Sequence, residues 1–192
     1  TIRQNLPKTM EIRIDGALPF GVTAKDLILG IIGEIGVGGG RGHVIEYTGE
    51  AIRSMSMDGR MTICNMTIEG GGRAGMVAPD ETTFDYLHER PQAPQGEEFE
   101  NAVEEWSALK TDVGSEFDDL VKIDATSIEP MVSWGTNPSM VMPVTGRVPD
   151  PNLIDSKDDR KAAEIALEYM DLEPGTSIHG IKLDRVFIGS CT

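Results

Sequence analysis

The sequence predicts an α/β protein: strand-type and helix-type hydrophobic patterns alternate along the chain, turn signals separate them, and there is apolar material for a core of one to two domains. The chain has 192 residues, 39 % of them hydrophobic. The first pattern is strict alternation. Met10, Ile12 and Ile14 stand between Glu11, Arg13 and Asp15, a period of two that reads as a half-buried strand over residues 9–15, closed by the Asp15-Gly16 turn. Thr23 then caps a helix whose Leu27, Ile28, Ile31, Ile32 and Ile35 share one face, and Gly36 ends it. A glycine-rich run over residues 36–42 leads into a strand over residues 43–47. Its glycines are expected to permit a tight loop with positive φ, because the run lacks the terminal Gly-Lys-Ser/Thr of a phosphate loop and precedes a strand.

Residues 54–72 return to a helical pattern, with Ser56 or Asp58 as cap and Met61, Cys64 and Ile68 on the expected buried side. A short helix follows the Pro79-Asp80 turn over residues 81–87, and Pro91 and Pro94 mark a loop over residues 90–96. Phe99, Val103, Trp106 and Leu109 recur at three-to-four-residue spacing on an acidic helix, and residues 120–124 read as a strand. Beyond the turn-rich Ser133-Trp134-Gly135-Thr136-Asn137-Pro138 and the Pro149-Asp150-Pro151 punctuation, Ser156 caps a helix running to about Met170, with Ala162, Ala163, Ile165, Ala166 and Tyr169 as its inner face. Residues 184–188 are expected to form a last short strand ending at Gly189-Ser190-Cys191. No internal repeat or low-complexity tract stands out.

Charge excludes two classes of partner. With 17 Lys and Arg against 32 Asp and Glu, the net charge is −15, which opposes binding to nucleic acid or an anionic membrane. The apolar stretch 27–35 is far shorter than the roughly 20 residues of a bilayer span. Two cysteines do not make a disulfide framework, although a Cys64–Cys191 pair stays formally open, and the expected compartment is the reducing cytoplasm. The chain starts Thr1-Ile2-Arg3-Gln4 and stops on Gly189-Ser190-Cys191-Thr192, which reads as a piece of something larger.

Two places could carry chemistry. Cys191 follows Gly-Ser at the expected carboxyl end of a strand, where α/β sheets collect ligands; it reads either as a metal ligand or nucleophile, or as a buried inert thiol. Asn65 and Glu69 are spaced i, i+4 and share one helix face. They read either as a pair ordering a substrate hydroxyl or water, or as a solvated face. His43, His88 and His179 lack metal-ligand spacing and are expected to be ordinary histidines. The acidic stretches around residues 97–105 and 155–168 are expected to be solvated faces without a calcium-loop spacing.

Longer phrases carry a resemblance. Arg60-Met61-Thr62-Ile63-Cys64-Asn65-Met66, continued by Glu69 and by Ala78-Pro79-Asp80-Glu81-Thr82-Thr83-Phe84, resembles the aconitase superfamily. Within it, Gly40-Arg41-Gly42-His43-Val44-Ile45-Glu46-Tyr47, Trp134-Gly135-Thr136-Asn137-Pro138 and Val186-Phe187-Ile188-Gly189-Ser190-Cys191-Thr192 are similar to the large subunits of the isopropylmalate dehydratase branch. The resemblance spans essentially the whole chain. It implies aconitase-like three-layer α/β/α domains, one complete and part of a second: residues 1–8 as the tail of a first domain, 9–125 as the second, and 126–192 as the opening of a third.

It also implies an iron–sulfur hydro-lyase, in which three cysteines hold a four-iron, four-sulfur (4Fe-4S) cluster whose open iron acts as a Lewis acid on a small 2-hydroxy di- or tricarboxylate. The first cluster ligand transfers to Cys191, while the other two belong to a Cys-x-x-Cys that this sequence does not contain. Cys64 falls on a position that is not a ligand. The resemblance assigns Asn65 and Glu69 to the active site, ordering the departing hydroxyl and handling its proton. It makes the branch's small subunit, bearing a serine base and a substrate-gripping arginine, the expected partner. The fragment by itself is expected to hold no stable cluster and to be inactive. Two alternatives share the same motifs: a homoaconitase or related alkylmalate dehydratase, and a noncatalytic aconitase-like binding domain.

Overall fold

The structure, a computed structural model, describes residues 3–189. Its centre is a four-stranded sheet in the order β3-β2-β1-β4, with every neighbouring pair parallel. The strands are β1 (Lys8–Asp15), β2 (His43–Thr48), β3 (Ala74–Met76) and β4 (Asp119–Asp124). The register sets Met10 beside Ile45, and Ile12 between Tyr47 and Val121. Because side chains alternate along a strand, this register gathers Met10, Ile12, Ile14, Ile45, Tyr47, Val121 and Ile123 on one face.

Three helices cover that face: α1 (Ala24–Ile35), α2 (Glu50–Arg53) and α3 (Met57–Met66). Ile12, Ile14, Leu27, Ile31 and Ile63 are fully buried there. Each such side chain contributes about 1.5 to 3 kcal/mol of hydrophobic stabilisation, so this layer holds α3 in place. The other face carries Glu11, Arg13, Glu46 and Lys122 and is crossed by the connection over residues 108–118. Thr111 donates to Glu46 Oε2 at 2.6 Å, and the Thr9 amide donates to Asp118 Oδ2 at 2.7 Å.

Thr23 caps α1 as expected. Its side chain accepts from the Asp26 amide while Asp26 Oδ2 accepts the Thr23 amide at 2.8 Å, a reciprocal capping box. The glycine run forms the expected tight loop and adds a second constraint. Gly36 and Gly42 do have positive φ, 76° and 81°, but Gly40 is required by close approach: a Cβ there would stand 2.9 Å from both the Gly72 amide nitrogen and Ile45 Cδ1. The loop is therefore packed against the core rather than arranged as an anion cradle. His43 is 9 % exposed, with Nδ1 3.1 Å from the Arg41 carbonyl and Nε2 2.8 Å from Asp119 Oδ2. It is a satisfied structural histidine that ties β2 to β4.

A second hydrophobic cluster follows. An antiparallel hairpin, β5 (Met131–Ser133) and β6 (Val141–Pro143), turns at Trp134. Trp134 and Val148 pack with Ala163, Ala166 and Leu167 of α6 (Lys157–Met170). Asp26 Oδ1 joins the two clusters by accepting the Met131 amide at 2.7 Å. Ser156 caps α6, yet three residues of its expected inner face, Ala162, Ile165 and Tyr169, are exposed, the last two at 57 % and 79 %, and Leu167 is buried with Ala163 and Ala166 instead.

Between the clusters lie α4 (Glu81–Leu87), capped by Asp80, and α5 (Glu97–Ser107). The latter stops short of Leu109, which is 70 % exposed. Residues 184–188 do not form the expected strand. They pair with no strand among the described residues, and Phe187 and Ile188 are each 93 % exposed. Among the described residues, no helix is long and apolar enough to cross a membrane.

Candidate functional site

The side chains singled out in the sequence sit at the end of α3. Ser56 starts this helix by accepting the Gly59 amide at 3.3 Å. Its buried side is not the expected one: Arg60, Ile63 and Met66 point inward, while Met61 is 39 % and Ile68 72 % exposed. The reason is a buried charge. Arg60, 3 % exposed, directs its guanidinium at Asp80 (Nη1–Oδ1 2.6 Å, Nη2–Oδ2 2.8 Å), at the Arg53 carbonyl (2.9 Å) and at the Met55 carbonyl (3.1 Å). With its donors matched to acceptors, the arginine can stand where an apolar residue would be expected.

At its carboxyl end α3 tightens into a 3-10 turn, Thr67–Gly70, stopped by Gly71 in the left-handed region at φ 85°. Buried Thr67 donates to the Ile63 carbonyl at 3.1 Å and meets the Tyr47 hydroxyl at 2.9 Å. Burial pushes the Tyr47 hydroxyl up to about 12, against the lowering effect of this hydrogen bond. Asn65 and Glu69 thus flank the change of helix type. Asn65 is exposed and Glu69 half-buried, and Glu69 Oε2 is a buried oxygen without a hydrogen-bond partner.

Two clefts border α3. One, about 360 Å³, is lined by Thr23, Lys25, Asp58, Gly59, Thr62 and Gly189. Gly189 lines this cleft beside Thr62 and Asp58 of α3, about one and two turns before Asn65. The other cleft, about 560 Å³, is apolar and lined by Met57, Met61, Cys64, Met76 and Leu109 among others. Cys64 is a free thiol that burial pushes above its ordinary range. Its helix position is about 100° round from Asn65, and it lines the apolar cleft.

Cys191 lies outside the described residues. Among the described residues, no group of three or more His, Cys, Asp or Glu side chains could hold a metal ion. The orphaned Glu69 oxygen is a buried acceptor with no partner, which calls for a donor from outside. Sequence reading did not find the Arg60–Asp80 tie that holds α3 to the start of α4. Its available signal was an arginine in phase with Ile63 and Met66.

A parallel sheet covered on one face by α1, α2 and α3 defines an α/β domain. Compared with protein-family models, the chain matches the Aconitase family (aconitate hydratase) over residues 1–192. The chain belongs to the aconitase family, a family of hydro-lyases that generally carry a 4Fe-4S cluster.

Proposed function

We propose that this chain is part of the large subunit of a 3-isopropylmalate dehydratase, the hydro-lyase that interconverts 2-isopropylmalate and 3-isopropylmalate by loss and return of water in leucine biosynthesis. The motifs around Trp134 and Cys191 and the Gly40–Tyr47 phrase favour this branch. The observation that carries the chemical reading is Glu69, whose Oε2 is buried and unpartnered in the 3-10 turn that ends α3. Cys191 would be this chain's ligand to a 4Fe-4S cluster completed by cysteines it does not contain. When bound, that group supplies a Lewis acid.

The chain's own residues do the rest. Dehydration requires a proton for the departing hydroxide and an acceptor for it on return, and Glu69 is placed to exchange that proton. Asn65, exposed one turn earlier, would orient the hydroxyl through its amide. The Arg60–Asp80 tie holds α3, which carries Asn65, to the start of α4. In this reading residues 9–125 form the second domain, 126–192 open the third, and a cytoplasmic small subunit completes the site.

The test uses the full-length parent with its small subunit, reconstituted with iron and sulfide, on 2-isopropylmalate, homocitrate and citrate side by side. Preference for 2-isopropylmalate is expected. Glu69→Gln should lower kcat about 10²- to 10⁴-fold while leaving iron content unchanged, and wild-type turnover in that variant would remove Glu69 from the mechanism. Preference for homocitrate or citrate would move the protein to a sister reaction.

A further inference from the structure

The α4–α5 hairpin plays no part in the proposed chemistry, and its surface is unusual for a packed element. Phe99, Val103 and Trp106 follow the spacing of a core-facing helix, yet no residue of α5 is buried. Their rings pack on one another and on α4. Trp106 stacks on Phe84 at 6.3 Å and meets Phe99 edge-on at 5.9 Å, and Phe99 in turn meets His88 at 5.3 Å. This aromatic wall separates two open clefts. One, about 500 Å³, has Tyr86, Pro91, Pro94 and Trp106 in its walls; the other, about 320 Å³, has Phe84, Phe99 and Val103.

The smaller cleft is acidic at its rim, with Glu81, Asp85 and Glu100 in its walls. The larger carries Arg90, whose guanidinium sits 4.2 Å over the Tyr86 ring and donates to the Tyr86 carbonyl at 3.0 Å. Glu89, Glu97, Glu98, Glu104 and Glu105 add to the negative charge of residues 81–110, where Arg90 and Lys110 are the basic residues. A plain solvated acidic face would have no aromatic clefts, and a plain hydrophobic contact would have no such charge. A second copy of this chain would set these carboxylates against their equals. The complementary surface is a cation-rimmed apolar anchor.

We propose that the smaller cleft, between α4 and α5, docks a cationic segment of a partner protein, which inserts an apolar or aromatic anchor beside Phe99 while its lysines and arginines meet Glu81, Asp85 and Glu100. This proposal is independent of the hydro-lyase reading and is tested on the 192-residue chain. The probe is a synthetic helix-forming peptide rich in Lys and Arg with Leu and Phe anchors. One control has the anchors replaced by Ser, and another has the basic residues replaced by Glu. Binding is followed by the indole N–H signals of Trp106 and Trp134, with Trp134, 8 % exposed in the second cluster, as internal reference.

The anchored cationic peptide should shift Trp106 and leave Trp134 in place. Added salt, and the pair Glu100→Lys with Glu104→Lys on the exposed side of α5, should each weaken it about tenfold or more. Equal binding of the anchored and Ser-substituted peptides would overturn the proposal in favour of charge alone. No movement of Trp106 would also overturn it, as would movement on raising protein concentration without peptide, which would make the face a self-association surface.

Discussion

Arg60 and Asp80 form a two-pronged ion pair across 20 residues of chain, with guanidinium nitrogens 2.6 and 2.8 Å from the two carboxylate oxygens. The pair joins the inside of α3 to the cap of α4. Through its hydrogen bonds Arg60 holds the Asp80 carboxyl below the ordinary carboxylate range.

Asp80→Asn separates the charge from the cap, because Asn also caps a helix well. Removing the charge leaves Arg60 without its anion, and we expect a loss of about 2 kcal/mol, the pair being partly exposed on the Asp80 side. A depressed folded value contributes stability that is present above the unfolded value of 3.8 and is lost as pH falls through the lower folded one. Denaturant curves of the two proteins should therefore stay apart at neutral pH and converge below 3.8. A gap that persisted in acid would mean the substitution acts through packing.

Tyr47 gives the opposite pH sign. Its burial-raised value of about 12 against 10.0 in the unfolded chain contributes stability that is complete below 10.0 and is lost as pH rises toward 12. Tyr47→Phe removes one hydrogen bond, to Thr67, and should cost about 1 kcal/mol at neutral pH. Between pH 10 and 12 the native protein should lose stability faster than the variant, and parallel alkaline curves would contradict the burial of this hydroxyl.

Gly75 is the close approach that lets Tyr47 and Thr67 meet. A Cβ at this position would run into Thr67 Oγ1 and stand 3.1 Å from Tyr47 Cε2. Gly75→Ala should cost about 2 kcal/mol through overpacking. Adding Thr67→Ala should recover part of the loss, a non-additivity expected of residues in direct contact. Strict additivity in the double variant would place the strain elsewhere.

The elements legible in the sequence are those whose pattern is local. Strands β1, β2 and β4, helices α1, α4 and α6, and the caps at Thr23, Ser56 and Ser156 follow from alternation, helical spacing and side-chain oxygens. What escaped depends on distant partners. The Ala-Gly-Met of β3 shows no alternation and becomes a strand only because β2 offers an edge, and α2 is a single turn beneath β1. The buried side of α3 was misplaced for two reasons: Arg60 looks like a surface residue until Asp80 arrives, and the 3-10 turn breaks the phase that carried Cys64 to Ile68. Asn65 and Glu69 were visible as a spaced pair, but the orphaned state of Glu69 Oε2 is a property of the folded chain.

Asp26 links the two hydrophobic clusters with opposite oxygens of one carboxylate. Oδ2 closes the capping box on Thr23, and Oδ1 accepts the Met131 amide at 2.7 Å. Thr23→Ala should remove about 1 kcal/mol of capping and leave Met131 protected. Asp26→Ala should remove both and speed hydrogen exchange at the Met131 amide about tenfold, since that amide loses its acceptor. Equal protection of Met131 in the two variants would show that the hairpin is held by packing of Val141 on Gly33 alone.

Cys64 lines the apolar cleft beside α3. Burial raises its thiol above the ordinary value of 9.0, so at neutral pH it holds less of the reactive thiolate than a free cysteine does. With Cys191→Ser leaving one thiol, iodoacetamide should modify Cys64 more slowly than a small-molecule thiol, with a rate that climbs past pH 9.0 as the thiolate forms. Filling the apolar cleft by Met61→Phe should slow that reaction further, because Met61 and Cys64 line the same space. Fast alkylation at neutral pH would instead mark Cys64 as an activated thiol and bring its cleft into the chemistry.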